Sequence, residues 1–283
     1  AISSAVKAKF AMNQLAACLH TTTVANQPQL RQVARRFGLA SETYTAAARL
    51  QQQVALNALQ HLPVDNAGRL LDLGCGPGWI HPRLSQHSQQ FIALDLSAGM
   101  LAKAAEQNLA AQYVLANADA IPLADNSLDK VFSSLMLQWC PQPVQVFTEL
   151  NRVLKPGGKL VITTLVQGTL NELKQAFSML DNTQHVNEFL PADEVVMAAK
   201  QVSDINWQFE CRSYPLYYQS VLCLARELKA LGANQVLGQK RRGLTGKAYW
   251  QALADAYEPK RSVLGLPATY QVLTITGVKQ IAV

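Results

Sequence analysis

The chain has 283 residues, 49% hydrophobic and 16% charged, a composition that can bury a substantial globular core. Its formal charge of +6 is concentrated in residues 1 to 41, where Lys7, Lys9, Arg31, Arg35 and Arg36 stand without a single acid, so setting those five aside leaves +1. A basic head on a nearly neutral body argues against a nucleic-acid groove, which needs cations aligned along one face and aromatics for stacking.

The elements follow in chain order. Lys7 and Lys9 before "FAMNQLAAC" imitate a short secretory signal, but Asn13 and Gln14 interrupt its apolar stretch, and an amphipathic helix or loose tail is expected instead. No apolar run reaches the roughly 18 residues that cross a bilayer, so no membrane span is expected. Cys18, Cys75, Cys140, Cys211 and Cys223 are odd in number and widely spaced, with no C-x-x-C and no histidine pair nearby. They predict reduced thiols, a cytoplasmic location and no metal site. Helix-favouring residues run from Gln29 to Leu62 and stop at Pro63 and "VDNAG". Apolar runs then alternate with helical ones: "RLLDLG", a helix after Gly78, "QFIALDL", a helix from Ser97, "AQYVLAN", a loop, "LDKVFSSL", a helix through Phe147, and "GGKLVITTL". That alternation predicts a doubly wound α/β sheet with helices on both faces. A helical stretch from Thr169 to about Val202 follows, and "INWQFECRSYPLYY" and "ATYQVLTITGVK" read as two closing strands separated by mostly helical sequence. The expected division is an unassigned tail (1–30), a helical cap (31–63) and an α/β domain (64–283) with a helical lid inserted at about 216–262.

Within "LLDLGCGPGW", Gly74, Gly76 and Gly78 occupy alternate positions in the first strand-to-helix turn, where a doubly wound sheet binds ligands. Glycine permits positive φ and removes Cβ atoms, so a ligand can lie against bare backbone. Asp95 ends the second strand, where a carboxylate can accept hydrogen bonds from both ribose hydroxyls. The spacing is G-x-G-x-G and not the G-x-G-x-x-G of dinucleotide sites, and Asp72 before the first glycine would repel a pyrophosphate while suiting an ammonium and a sulfonium. S-adenosylmethionine carries both. Asp119 and Ala120, after the third strand, stand as the acid and backbone amide for an adenine edge.

"LDLGCGPG", "ALDLSAGML", "ADAIPLADNSLDKVFSSL" and "ELNRVLKPGGKLVIT" together resemble the ordered motifs of class I S-adenosylmethionine-dependent methyltransferases. Tight turning alone would explain one such motif, not four in order. The resemblance implies a Rossmann-like seven-stranded sheet with an antiparallel last strand, and adds Leu96, Met100 and Leu135 to the cofactor set. The flanks "RRFGLASETYTAAARLQ", "SSLMLQWC", "TTLVQGTLNEL", "HVNEFLP", "RGLTGKAYWQAL" and "LPATYQV" resemble the malonyl-acyl carrier protein O-methyltransferases of biotin synthesis. That resemblance implies methylation of the free carboxylate of malonyl-acyl carrier protein or malonyl-CoA, and a monomer is expected. A carboxylate is already an anion at neutral pH, so no catalytic base is expected and His81 and His185 are read as structural or solvated. Tyr44, Gln138 and Trp139 are candidate substrate contacts. Arg36, Arg49 and Arg212 are all available to meet the malonyl carboxylate. Lys240, Arg241, Arg242 and Lys247, four cations in "GQKRRGLTGK", are the expected docking patch for an acidic carrier. Two alternatives stand beside this reading: a methyltransferase acting on a small molecule such as a quinone precursor, and a protein that binds S-adenosylmethionine without catalysis.

Overall fold

The computed structural model describes residues 28–231 and 246–281. The helix-favouring head folds as three pieces, α1 (Pro28–Ala40), α2 (Tyr44–Ala47) and α3 (Arg49–Leu59). The break after α1 has a local cause. Ser41 and Thr43 hydroxyls turn back to donate to Gly38 O (3.0 Å) and Ala40 O (3.2 Å), satisfying carbonyls that another turn of helix would have used.

The α/β body runs β1 (Arg69–Leu73), α4 (His81–Leu84), β2 (Gln90–Asp95), α5 (Ala98–Ala105), β3 (Gln112–Leu115), β4 (Leu128–Ser134), α6 (Pro143–Val153) and β5 (Leu154–Leu165). It continues with α7 (Asn171–Ser178), α8 (Ala192–Lys200), β6 (Ile205–Tyr218), α9 (Val221–Ala230), α10 (Lys247–Tyr257) and β7 (Leu266–Lys279). The seven strands form one sheet in the order β3-β2-β1-β4-β5-β7-β6. Only β7 opposes the others: it pairs antiparallel with both β5 and β6. Strand order and direction therefore match the Rossmann-like expectation, antiparallel last strand included.

Two helical expectations change. The stretch after Gly78 makes only the four-residue α4. Thr169 to Val202 splits into α7 and α8, because Asp181 Oδ1 captures Thr183 N (2.8 Å) and its hydroxyl (2.6 Å) in a side-chain turn and Pro191 bars helix at Leu190. The last strand pair runs to Tyr218 opposite Leu266, so the helical insertion leaves the sheet after Tyr218 and re-enters at Leu266.

The central strands are buried on both faces, which is why they read as near-continuous apolar runs. On one face Leu71 and Leu73 join Phe147, Leu150 and Ile162; on the other Leu70 meets Ile80, Leu84, Phe91 and Phe132. Each such side chain contributes roughly 1.5–3 kcal/mol relative to an exposed one. The cap docks through bare backbone: a Cβ built on Gly99 of α5 would lie 2.8 Å from Gly38 Cα of α1. The lid is fastened to the same cap, since Arg49 donates to Glu227 of α9 at 2.8 and 3.0 Å and Thr43 Oγ1 donates to Ala230 O at 2.9 Å. Among the described residues no helix is long and apolar enough to cross a membrane, and no group of three or more His, Cys, Asp or Glu side chains is placed to hold a metal ion.

Candidate functional site

β1 delivers the chain into the glycine turn, which Gly74 N and Cys75 N tie to Leu94 O at 2.8 and 3.0 Å. Gly74, Gly76 and Gly78 have φ of +74°, +55° and +76°, the left-handed region that glycine occupies at least cost. Their surroundings differ. A Cβ on Gly74 would lie 2.3 Å from Met136 Cγ, and one on Gly78 would lie 2.6 Å from the His81 ring, whereas one on Gly76 would meet nothing within 4 Å. Two of the glycines are required by packing within the protein, and the third opens onto a cavity.

That cavity, about 90 Å³, lies at the carboxyl ends of β1, β2 and β4, walled by Gly74, Gly76, Asp95, Leu96, Met100 and Leu135 and covered by Leu30, Val33 and Phe37. The last three recur at helical spacing along α1, which gives the cap one apolar face toward the site. Asp95 accepts from Gly76 N at 2.9 Å and Ser97 N at 2.8 Å. Burial pushes its pKa up to about 6; the Ser97 and Gly76 amides oppose the shift and Asp72 adds to it.

Other predicted cofactor residues stand elsewhere. Asp72 is 2% exposed and does not line the cavity; its carboxylate faces His81 Nε2 at 3.2 Å, and His81 is fully buried. Strand alternation is the reason, since Asp72 shares a face with Leu70 while Leu71 and Leu73 take the other. Gly78 lies behind the turn against His81 and Ala104. The Ala120 amide is engaged by Asn117 O at 3.1 Å, so it is not presented to a ligand. Asn117 and Ala118 line the wall in its place. Both Asn117 Nδ2 and Asp119 Oδ1 are buried without a hydrogen-bond partner among the described residues. Asn117 immediately precedes the motif "ADAIPLADNSLDKVFSSL", and nothing in its residue type marked it.

A second cavity of about 400 Å³ adjoins the first, and Phe37, Tyr44, Leu135 and Trp139 belong to both walls. Phe37 packs edge-on to Trp139 (centroids 5.2 Å) and to Tyr44 (6.3 Å), which fixes the partition. All three predicted substrate residues line this larger space. Gln138, however, is spoken for by the backbone: its amide donates to Leu135 O at 2.6 Å and accepts from Thr164 Oγ1 at 3.2 Å. It anchors the turn after β4, while Tyr44 makes no hydrogen bond among the described residues. Burial first, and Asp95 second, raise the Tyr44 pKa above its ordinary value, so the hydroxyl stays protonated. Leu135 and Leu170, both in this wall, have φ of +54° and +56°, strain of the kind that collects at binding sites.

Sequence reasoning missed three wall residues. Gln51 of α3 has a buried Oε1 with no partner among the described residues, an acceptor offered to the cavity. Arg226 and Lys229 of α9 are exposed where the cavity opens. None of Arg36, Arg49 and Arg212 lines either cavity; Arg49 is held by Glu227, and Arg212 pairs with Glu210 at 2.9 Å on β6. His185 lines the larger cavity stacked on Phe177 (4.1 Å) and bonded to Asp181. Of the expected docking patch, Lys240, Arg241 and Arg242 lie outside the described residues, and Lys247 is exposed at the start of α10.

The smaller cavity thus offers a half-buried carboxylate, an orphaned amide donor, a nearby orphaned carboxylate oxygen and a stretch of wall without side chain. That donor set fits a nucleoside with its ribose on Asp95. The larger cavity is mostly apolar and carries no acid among the described residues.

A sequence model for a family described as "Methyltransferase domain" matches residues 71–162, from β1 through β5. The chain is 41% identical over 252 residues to the biotin biosynthesis bifunctional protein BioHC of Cellvibrio japonicus, covering 88% of this chain and 50% of that one. It therefore spans about half the length of that bifunctional relative. It is 37% identical over 246 residues to a malonyl-[acyl-carrier protein] O-methyltransferase of Hahella chejuensis, covering 85% of this chain and 87% of that one. Among solved structures, the YcgJ protein of Bacillus subtilis superposes with a TM-score of 0.58 at 17% identity, over 82% of this chain and 100% of the other, a likeness of fold.

Proposed function

The chain belongs to the family of malonyl-acyl carrier protein O-methyltransferases, and from that premise we propose that it transfers a methyl group from S-adenosylmethionine to the free carboxylate of a malonyl thioester, as a step toward biotin. The observation that carries this reading is the pair of adjoining cavities, one furnished for a nucleoside and the other apolar and free of acid, divided only by Phe37, Tyr44, Leu135 and Trp139.

Gly76, Asp95, Leu96, Met100 and Asn117 would hold the cofactor. When bound, S-adenosylmethionine supplies an electrophilic methyl group on a sulfonium. The acceptor carboxylate is ionised at neutral pH and needs no base. Tyr44, protonated throughout that range, can donate a hydrogen bond that orients the acceptor and cannot remove a proton from it. The apolar partition excludes water, and holding acceptor oxygen in line with the methyl carbon is worth up to roughly 7–11 kcal/mol. Both walls come from one chain, so the reading needs no residue from a second subunit. Cys75, Cys140, Cys211 and Cys223 are free thiols, in keeping with a reducing, cytoplasmic compartment.

The test is incubation with methyl-labelled cofactor and malonyl-acyl carrier protein, malonyl-CoA or a quinone-type phenol. Label is expected in a base-labile ester of the malonyl substrates. Label on the phenol alone would replace the acceptor, and cofactor binding without transfer to any of the three would remove the enzyme from the reading.

A further inference from the structure

Among the described residues, the exposed part of the larger cavity's wall is a single stripe of α9. Leu222, Arg226 and Lys229 are its exposed lining residues, spaced four and three apart so that they share one face of the helix. Another side of α9 is committed to the cap and to β6: Glu227 accepts from Arg49 at 2.8 Å and from the Tyr218 hydroxyl at 2.8 Å. Glu227 is therefore taken, and Arg226 and Lys229 have no ion-pair partner among the described residues. Among the described residues the cavity wall holds no acid.

Two cations without counter-charge, at the mouth of an apolar cavity, call for an anion at that mouth. The reacting carboxylate is not that anion. It has to lie at the partition, which both cavities share, and neither Arg226 nor Lys229 belongs to the smaller cavity's wall. A substrate that spans this space needs one negative group to react and a second at the solvent boundary, joined by an uncharged arm that can lie against Leu173, Leu222 and Trp250. A malonyl thioester on a phosphopantetheine arm has that distribution of charge.

We propose that Arg226 and Lys229 form a phosphate subsite that receives the phosphate of the phosphopantetheine arm, whether that arm is borne by a carrier protein or by coenzyme A. This rests on the methyl-transfer reading above and adds to it the recognition of the arm. The subsite lies on α9. Partly hydrated pairs of this kind are individually weak, so both must be changed together to give a clear signal.

The test compares wild type with Arg226→Glu/Lys229→Glu on malonyl-acyl carrier protein, malonyl-CoA and the malonyl thioester of N-acetylcysteamine, which has no phosphate. Charge reversal at two sites is expected to lower kcat/KM about tenfold for the two phosphate-bearing substrates and to leave the third within about twofold. Both side chains are exposed, and an unchanged melting temperature confirms an intact fold. Arg226→Gln/Lys229→Gln should show the same pattern more weakly. Equal losses on all three substrates, loss on the carrier substrate alone, or no loss would each overturn the proposal. A second measurement does not depend on turnover: calorimetry should find free 4′-phosphopantetheine binding wild type more tightly than pantetheine, with the difference abolished in the variant. No such difference in wild type would overturn the subsite, whereas a clear difference beside failure to methylate any malonyl thioester would keep the subsite and overturn the assigned reaction.

Discussion

Asp95 accepts two backbone hydrogen bonds, and still burial pushes its pKa up to about 6. Folding raises this pKa above the ordinary carboxylate value of about 3.9. Its contribution to stability is therefore complete below about pH 4 and is lost as pH rises through about 6. A ligand donating hydroxyls to the ionised form has the opposite preference, so cofactor affinity should rise with pH up to about 6–7 and then level. Calorimetry across that range checks the step. Asp95→Ala should abolish it and cost roughly 1.5–3 kcal/mol of cofactor binding. The glycines make a sharper contrast. Gly74→Ala combines left-handed strain with a collision 2.3 Å from Met136, and should lower stability by about 2–5 kcal/mol. Gly76→Ala meets no protein atom within 4 Å and should cost about 1–2 kcal/mol in stability while obstructing the cofactor wall. Thermal melts with paired calorimetry separate the two, and equal melting temperatures would contradict this account. The glycine motif was legible in the sequence; the division of labour among its glycines was not, because it depends on Met136 and His81 arriving from elsewhere in the chain. Asp72 was misplaced for a related reason. A motif shows an acid beside a turn, and only strand parity says which face it takes.

At the scale of elements, the cap's position over the cofactor wall depends on α1 meeting α5 without side chains at Gly38 and Gly99. Gly99→Ala would set a methyl group 2.8 Å from Gly38 Cα, and backbone cannot yield there as a flexible side chain would. The sheet should survive with a loss of about 1–3 kcal/mol, while Leu30, Val33 and Phe37 shift off the cofactor cavity. The expected result is a larger loss of cofactor affinity than of melting temperature, and Gly38→Ala should act in the same direction. All seven strands were legible because apolar or β-rich runs alternate with helical sequence, most plainly in β1 and β2, which are apolar nearly throughout and stop before Gly74 and at Asp95. Helix extents were less so. Side-chain turns at Ser41, Thr43 and Asp181 stop helices that propensity alone would continue. Arg226, Lys229 and Gln51 were invisible because their role comes from a cavity that many distant segments enclose together.

For the whole molecule, the proposed chemistry places no titrating group between substrate and product. With cofactor saturating, the single-turnover rate should be nearly flat from about pH 7 to 9, above the Asp95 transition and below any Tyr44 ionisation. A tenfold rise per pH unit would point to a general base and to an acceptor other than a carboxylate. The same architecture bears on how such an enzyme diverges. The chain leaves the sheet at Tyr218 and returns at Leu266, and these two residues are paired neighbours in the β6–β7 ladder. Whatever lies between them begins and ends at one rung, so lengthening, trimming or exchanging that excursion shifts no strand register and leaves the nucleoside wall on β1, β2 and β4 untouched. The share of the larger cavity's wall that α9 and α10 supply is in this sense an interchangeable cassette, free to vary in a lineage while the wall carried by the sheet and the cap is held constant.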